Sequence, residues 1–139
     1  MIIYCAGPIR GDISHQETFK KIIAYVENLD HSVLTELSTK FSSTIPLTEK
    51  QIYKRDLKWI DGSKCMIAEV SGPSLGVGFE ISYALFHRKL PVLALYSSAV
   101  GDISAMITGC DSPLLTFQKY RDEDDMKTKI KVFINKISQ

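Results

Sequence analysis

Met66–Leu85 reads MIAEVSGPSLGVGFEISYAL. An apolar run ends at Glu69-Val70, breaks at Ser71-Gly72-Pro73-Ser74, and passes Gly76 and Gly78 before an apolar pattern resumes in which Glu80 is the one acid. This order reads as strand, glycine-rich turn, helix. A turn of this kind offers backbone N–H groups and a hydroxyl at a helix start, a physical recipe for holding a phosphate. Glu80 is expected in the first turn of that helix, near the same pocket. The alternative is structural: glycines permit tight turns, and the helix dipole alone favours an early acid.

The strands on either side place this unit in a larger pattern. Met1–Ala6 (MIIYCA) is short, uncharged and rich in β-branched and aromatic residues, as in a strand buried on both faces. Gly7-Pro8-Ile9-Arg10-Gly11-Asp12 then forces a turn. From His15 to Leu29, Phe19, Ile22, Ile23, Val26 and Leu29 fall at helical spacing. Ser32–Leu37 reads as a second strand and Ser38–Pro46 as a mobile loop. Thr48 and Gln51 suit a capping box opening a helix to about Gly62, with Asp56 inside it. Lys64–Val70 is a third strand, and the helix after it is expected to end near His87-Arg88-Lys89. Pro91–Tyr96 is a fourth strand, Ile103–Ile107 a short helix, Leu114–Phe117 a weak fifth strand, and Asp122–Ile137 an amphipathic closing helix.

Strands alternating with helices imply a single α/β domain over the whole chain: a doubly wound, flavodoxin-like or Rossmann-like five-stranded parallel sheet with helices on both faces. The expected strand order is 2-1-3-4-5, which puts a ligand crevice beyond the carboxyl ends of the first and third strands. The segments Gly7–Gly11 and Ser71–Glu80 meet there.

Composition narrows the function classes. Seventeen basic and sixteen acidic residues nearly balance, with no charged block, so bulk electrostatics recruit neither a nucleic-acid polymer nor a membrane. Cys5, Cys65 and Cys110 match no zinc or disulfide spacing and read as buried thiols of a reducing compartment. The apolar start is too short for a signal peptide, and no apolar run is long enough to span a bilayer. The expected location is the cytosol, or the nucleus by diffusion in a eukaryotic cell. His15, His31 and His87 are dispersed and build no metal set with the cysteines.

Two carboxylates can reach the crevice, Glu80 and Asp56. Paired carboxylates break glycosidic bonds: one attacks the anomeric carbon or orients water, the other manages the leaving group's proton. Tyr4 can hydrogen-bond the nucleophilic carboxylate. Each has a plainer alternative: Tyr4 a buried strand aromatic with a satisfied hydroxyl, Asp56 a solvated helix-face residue paired with Arg55, Arg10 a surface cation.

Four blocks carry a family resemblance: Tyr4-x-x-Gly7-x-Ile9-Arg10-Gly11; Asp56-Leu57-x-Trp59; Ala68-Glu69-Val70-x-x-Pro73-Ser74-Leu75-Gly76-Val77-Gly78-Phe79-Glu80; and Ser104-Ala105-Met106-Ile107. In order and separation they resemble the 2'-deoxynucleoside 5'-monophosphate N-hydrolases of the nucleoside 2-deoxyribosyltransferase superfamily. The resemblance implies hydrolysis of (deoxy)nucleoside 5'-monophosphates without metal or cofactor. It makes Glu80 the nucleophile of a covalent glycosyl intermediate, Tyr4 its positioner, and Asp56 the group assisting base departure. Ser74, the Gly76 and Gly78 region, Arg10 and the Gly7–Gly11 loop, including Pro8 and Ile9, would surround the 5'-phosphate. Ser104, with Ala105 and Met106, would complete the site of a neighbouring subunit in a homodimer.

Four positions depart from the family pattern. Pro8 stands where the animal enzymes carry a phosphate-binding serine, Leu37 where they carry a histidine, Phe19 for a tyrosine and Thr108 for an arginine. Base and sugar preference therefore stay open. Base exchange between nucleosides is the enzymatic rival, and a non-catalytic nucleotide-binding module is the rival from another class.

Overall fold

The computed structural model describes residues 1–37 and 45–139. Five strands, β1 (Ile2–Ala6), β2 (Ser32–Leu34), β3 (Cys65–Glu69), β4 (Val92–Ser97) and β5 (Leu115–Tyr120), form one sheet. Its order is β2-β1-β3-β4-β5, with every adjacent pair parallel, as the alternating pattern predicts. The helices are α1 (Gln16–Asn28), α2 (Glu49–Asp61), α3 (Leu75–Ser82), α4 (Ala105–Thr108) and α5 (Glu123–Ser138).

Side-chain alternation along the strands sorts the core into two layers. Ile3, Cys5, Cys65, Ile67, Leu93 and Leu95 pack against Phe19, Ile22 and Val26 of α1 and Met126, Ile130 and Phe133 of α5. Tyr4, Ala6, Met66, Ala68, Val92 and Ala94 face Ile60 of α2, Val77 and Ile81 of α3, and Ile107 of α4. Ala6, Ala68 and Ala94 are register neighbours across β1, β3 and β4. This row of methyls leaves room for α3 to lie low on the sheet.

Several boundaries differ from expectation. β2 stops at Leu34, so Thr35, Glu36 and Leu37 lie beyond its carboxyl end; Thr35 and Glu36 face the crevice, while Leu37 packs against the core layer of α1 and α5. β5 runs on to Tyr120 and pairs with β4 along its length. The predicted loop at Ser38–Pro46 falls largely outside the described residues. The helix after β3 changes hand-hold at its end: Tyr83–His87 is a π-turn, closed by the Arg88 N–H donating to the Tyr83 carbonyl at 3.0 Å. Asp61 at the end of α2 anchors this turn, accepting from the Tyr83 hydroxyl at 2.7 Å and pairing with Arg88 Nε at 3.2 Å.

The Thr48–Gln51 capping box forms as predicted, with the Gln51 N–H donating to Thr48 Oγ1 at 3.2 Å and the Thr48 N–H to Gln51 Oε1 at 2.9 Å. Asp122 caps α5 by accepting the Asp125 N–H at 2.8 Å. No helix among the described residues is long and apolar enough to cross a membrane.

Candidate active site

A cleft of about 930 Å³ opens at the carboxyl ends of β1 and β3, the switch point of the sheet. Its base is Tyr4 and Ala6; one wall is Gly7, Ile9, Arg10 and Gly11, another Pro73–Val77 with Phe79 and Glu80, and a third α2 with Ile52, Tyr53, Asp56 and Leu57.

Gly7 is required where it stands: a Cβ there would fall inside van der Waals contact of the Phe19 ring, which is fully buried under the loop. Gly11 takes φ +76°, the left-handed region that glycine enters freely, and turns the chain back toward α1. Arg10 is exposed at the rim between them. Pro8 is buried and does not line the cleft; its carbonyl accepts from Gln16 Nε2 at 2.9 Å.

The phosphate-type turn forms differently from the sequence reading. Ser74 is the N-cap of α3, its Oγ accepting the Val77 N–H at 3.3 Å, so the helix starts at Leu75 and both glycines lie inside it. The Gly78 N–H is spent on the Ser74 carbonyl at 3.1 Å, and Gly78 does not line the cleft. The amides of Leu75 and Gly76 precede the first intrahelical bond and point outward at the positive end of the helix.

Glu80 consequently sits in the second turn, and α3 has no acid in its first turn. The dipole, which acts over the first turn, does not account for it. Helical side chains lean toward the N-terminus, so Glu80 reaches back over the preceding turn to the cleft floor.

There the Tyr4 hydroxyl donates to Glu80 Oε2. Tyr4 is in the middle of β1 and only 2% exposed, so the donor is fixed by the sheet itself. Burial pushes the Glu80 carboxyl up to about 7; the Tyr4 hydrogen bond pulls against this, while Asp56 and Glu36 add to the rise. The Tyr4 phenol is held well above its ordinary value, first by burial and then by the Glu80 charge.

Asp56 is buried in α2, with Oδ1 accepting from Arg55 Nε at 2.9 Å. Burial raises its carboxyl above the usual range, and Arg55 opposes that. Arg55 also lies 3.8 Å from Glu36 Oε1 and stacks 4.6 Å from the Trp59 ring centroid. Three acids, Glu36, Asp56 and Glu80, thus line one cleft, with the Arg55 guanidinium paired to two of them. Two carboxyls in one cleft, both raised by burial, are the groups that general acid and nucleophile roles need.

Sequence reasoning missed Glu36, Thr35 and the apolar wall of Ile52, Tyr53 and Phe79, all of which line the cleft. The over-long reading of β2 hid the first two, since a residue counted inside a strand is not counted as a crevice residue. Thr35 Oγ1 is buried and has no hydrogen-bond partner among the described residues. Ser104 lines the cleft of its own chain as the N-cap of α4, accepting the Met106 N–H at 3.2 Å; Ala105 and Met106 do not line it. The described residues contain no cluster of His, Cys, Asp or Glu able to hold a metal.

Fold and site together define a class: a doubly wound α/β protein whose switch-point cleft joins the start of a helix to a tyrosine-held carboxylate. Residues 3–124 match the nucleoside 2-deoxyribosyltransferase family, and the chain belongs to that family.

Relatives agree over nearly full length. A Thermofilum pendens protein named "Putative 2'-deoxynucleoside 5'-phosphate N-hydrolase 1" is 35% identical over 133 residues, 94% of this chain and 92% of that one. The 5-hydroxymethyl-dUMP N-hydrolase of Esox lucius is 35% identical over 131 residues, 89% of this chain and 90% of that one. Among solved structures, the CMP N-glycosidase of Clostridium botulinum superposes with a TM-score of 0.69 at 18% identity, covering 96% of this chain and 99% of that one. A 2-deoxyribosyltransferase from Bacillus psychrosaccharolyticus gives 0.64 at 22% identity, with 91% and 90% covered. At these identities the structural likeness speaks for the fold.

Proposed function

We propose that this protein is an N-glycosidase that hydrolyses (deoxy)nucleoside 5'-monophosphates to free base and sugar 5-phosphate through a covalent intermediate on Glu80. The observation that carries the reading is the Tyr4–Glu80 hydrogen bond at the floor of a cleft whose far end is the start of α3. The names of the relatives support a nucleotide N-glycosidase.

In the first step a Glu80 carboxylate oxygen attacks C1' of the sugar, and the electrons of the N-glycosidic bond leave with the base. Asp56, whose carboxyl burial raises above its ordinary value, supplies the proton the departing base needs. In the second step water attacks C1', its proton returns to Asp56, and the ester to Glu80 breaks. Tyr4 holds the attacking oxygen in line and shares its charge at each end of the cycle. The 5'-phosphate lies against the Leu75 and Gly76 amides, the Ser74 hydroxyl and Arg10. Side chains and amides supply every step, so no metal or organic cofactor takes part.

The same reading includes a homodimer. Leu75 is 98% exposed, Met106 83% and Phe79 50%, an apolar rim that a second copy would cover while bringing its Ser104 segment to the neighbouring site. The free thiols Cys5, Cys65 and Cys110 support a reducing, cytosolic setting.

The test is a panel of ribo- and deoxyribonucleoside 5'-monophosphates, with the matching nucleosides alongside, assayed for released base. Base and sugar phosphate in equal amounts, abolished by Glu80→Ala, is the expected result. Accumulation of an exchanged nucleotide when a foreign base is added, with little sugar phosphate, would overturn hydrolysis in favour of transfer. Binding without turnover of any substrate would overturn the enzyme reading.

A further inference from the structure

On the opposite face of the sheet from Glu80 lies a buried acid that the reaction does not use. Glu69 ends β3, is 1% exposed and does not line the cleft. Its Oε1 accepts the Ser71 N–H at 2.6 Å, and its Oε2 accepts the Tyr120 hydroxyl at 2.5 Å. Both partners donate, which suits an acceptor-only carboxylate.

The neighbours of Ser71 extend the clamp. Ser71 Oγ accepts the Ser97 N–H at 2.8 Å, and the Val70 N–H donates to the Leu95 carbonyl at 2.8 Å. Gly72 then passes so close to the first loop that an added Cβ would stand 3.0 Å from Asp12 Oδ2. Asp12 is itself fixed, its Oδ1 accepting the Ser14 N–H at 3.0 Å. The turn carrying Ser74 is therefore held from β4 and from β5, with the loop that carries Arg10 close beside it. Burying a carboxylate is costly, and an apolar residue would fill the same space more cheaply. What the charge provides is geometry in the turn.

We propose that Glu69 is a positioning residue for phosphate recognition: through Ser71 and Tyr120 it sets the turn that aims Ser74 and the first amides of α3 at the 5'-phosphate. This rests on the cleft being a nucleotide site. Sugar and base contacts lie on α2, β1 and the second turn of α3, beyond the clamp. Loosening it should weaken grip on the phosphate and leave the bond-breaking step alone.

The experiment compares wild type, Glu69→Ala, Glu69→Gln and Tyr120→Phe. It measures kcat and KM for a nucleoside 5'-monophosphate, and the dissociation constant of inorganic phosphate by calorimetry. Glu69→Ala and Tyr120→Phe are expected to raise KM and the phosphate dissociation constant about tenfold, the loss of one charge-assisted hydrogen bond, with kcat within about threefold of wild type. Glu69→Gln keeps an acceptor for the Ser71 N–H and is expected to restore most of the affinity. Unchanged phosphate binding in Tyr120→Phe, or a fall in kcat matching the rise in KM, would overturn the proposal. Tyr120→Phe removes one oxygen and carries the test if Glu69→Ala does not fold. Absence of turnover in wild type would defeat the catalytic reading, while phosphate binding still reports on Glu69.

Discussion

The Tyr4 hydroxyl donates to Oε2 of Glu80 across 76 residues of chain, joining the middle of β1 to the second turn of the helix that leaves its neighbour β3. The contact exists only because β1 and β3 are adjacent and parallel, so it tests fold and mechanism together. Removing it with Tyr4→Phe takes away a donor that favours the charged carboxylate, and the Glu80 proton affinity rises further. Activity needs the carboxylate, so kcat/KM in wild type should climb through a pH near 7. In Tyr4→Phe this limb moves to higher pH, with activity at pH 6 down about 10- to 100-fold and a smaller loss at pH 9. A pH-rate profile of both proteins reads this directly.

Glu36→Gln should move the same limb the other way. The Glu36 charge adds to the rise of Glu80, so its removal lets Glu80 ionise at lower pH. The Glu36 carboxyl is itself raised by burial and by Asp56, with Arg55 and Arg10 opposing, which makes it part of one coupled cluster. Opposite displacements of the limb in Tyr4→Phe and Glu36→Gln are the signature; displacement in one direction by both would contradict the cluster.

Stability carries its own sign. The folded-state pKa of Glu80 lies above its unfolded value, about 7 against 4.5, so between those values the native state holds the proton more tightly. Native stability is then lost as pH rises through this window. Glu80→Gln removes the liability and should be more stable than wild type by roughly 1–3 kcal/mol above pH 7, with the difference fading toward pH 4.5. Urea unfolding at pH 4.5 and pH 8 measures it. An inactive variant more stable at high pH is the expected outcome for a strained functional carboxylate.

Gly7→Ala should disturb packing first and catalysis second. The new methyl meets the ring of fully buried Phe19, so the ring or the loop backbone must shift. The expected loss is about 1–3 kcal/mol in urea unfolding, typical of overpacking. A smaller Phe19→Leu ring replacement should absorb part of it, so the double variant will lose less than the sum of the singles.

The strand–helix alternation made the sheet order legible, because short apolar runs such as PVLALY between amphipathic segments fit only a buried parallel sheet. Tyr4, Asp56 and Glu80 were legible as candidates from residue type and spacing, and the cleft brings all three together. Glu80's turn was misplaced because Ser74 competes with the glycines to start the helix, and capping by a hydroxyl won. Glu36 was invisible because the end of β2 is fixed by pairing with β1 over Ile2–Tyr4, a tertiary constraint that local propensity does not contain. The Glu69–Tyr120 contact spans 51 residues and reaches from the central strand β3 past β4 to the edge strand β5, and no periodicity announces it.

Stereochemistry tests the double displacement most directly. With methanol present as a competing acceptor, the methyl glycoside of the sugar 5-phosphate should form with the β configuration of the starting nucleotide, seen in the anomeric proton signal, because two inversions at C1' restore it. An α-methyl glycoside would mean that the acceptor attacks in a single step, and would contradict a covalent sugar on Glu80.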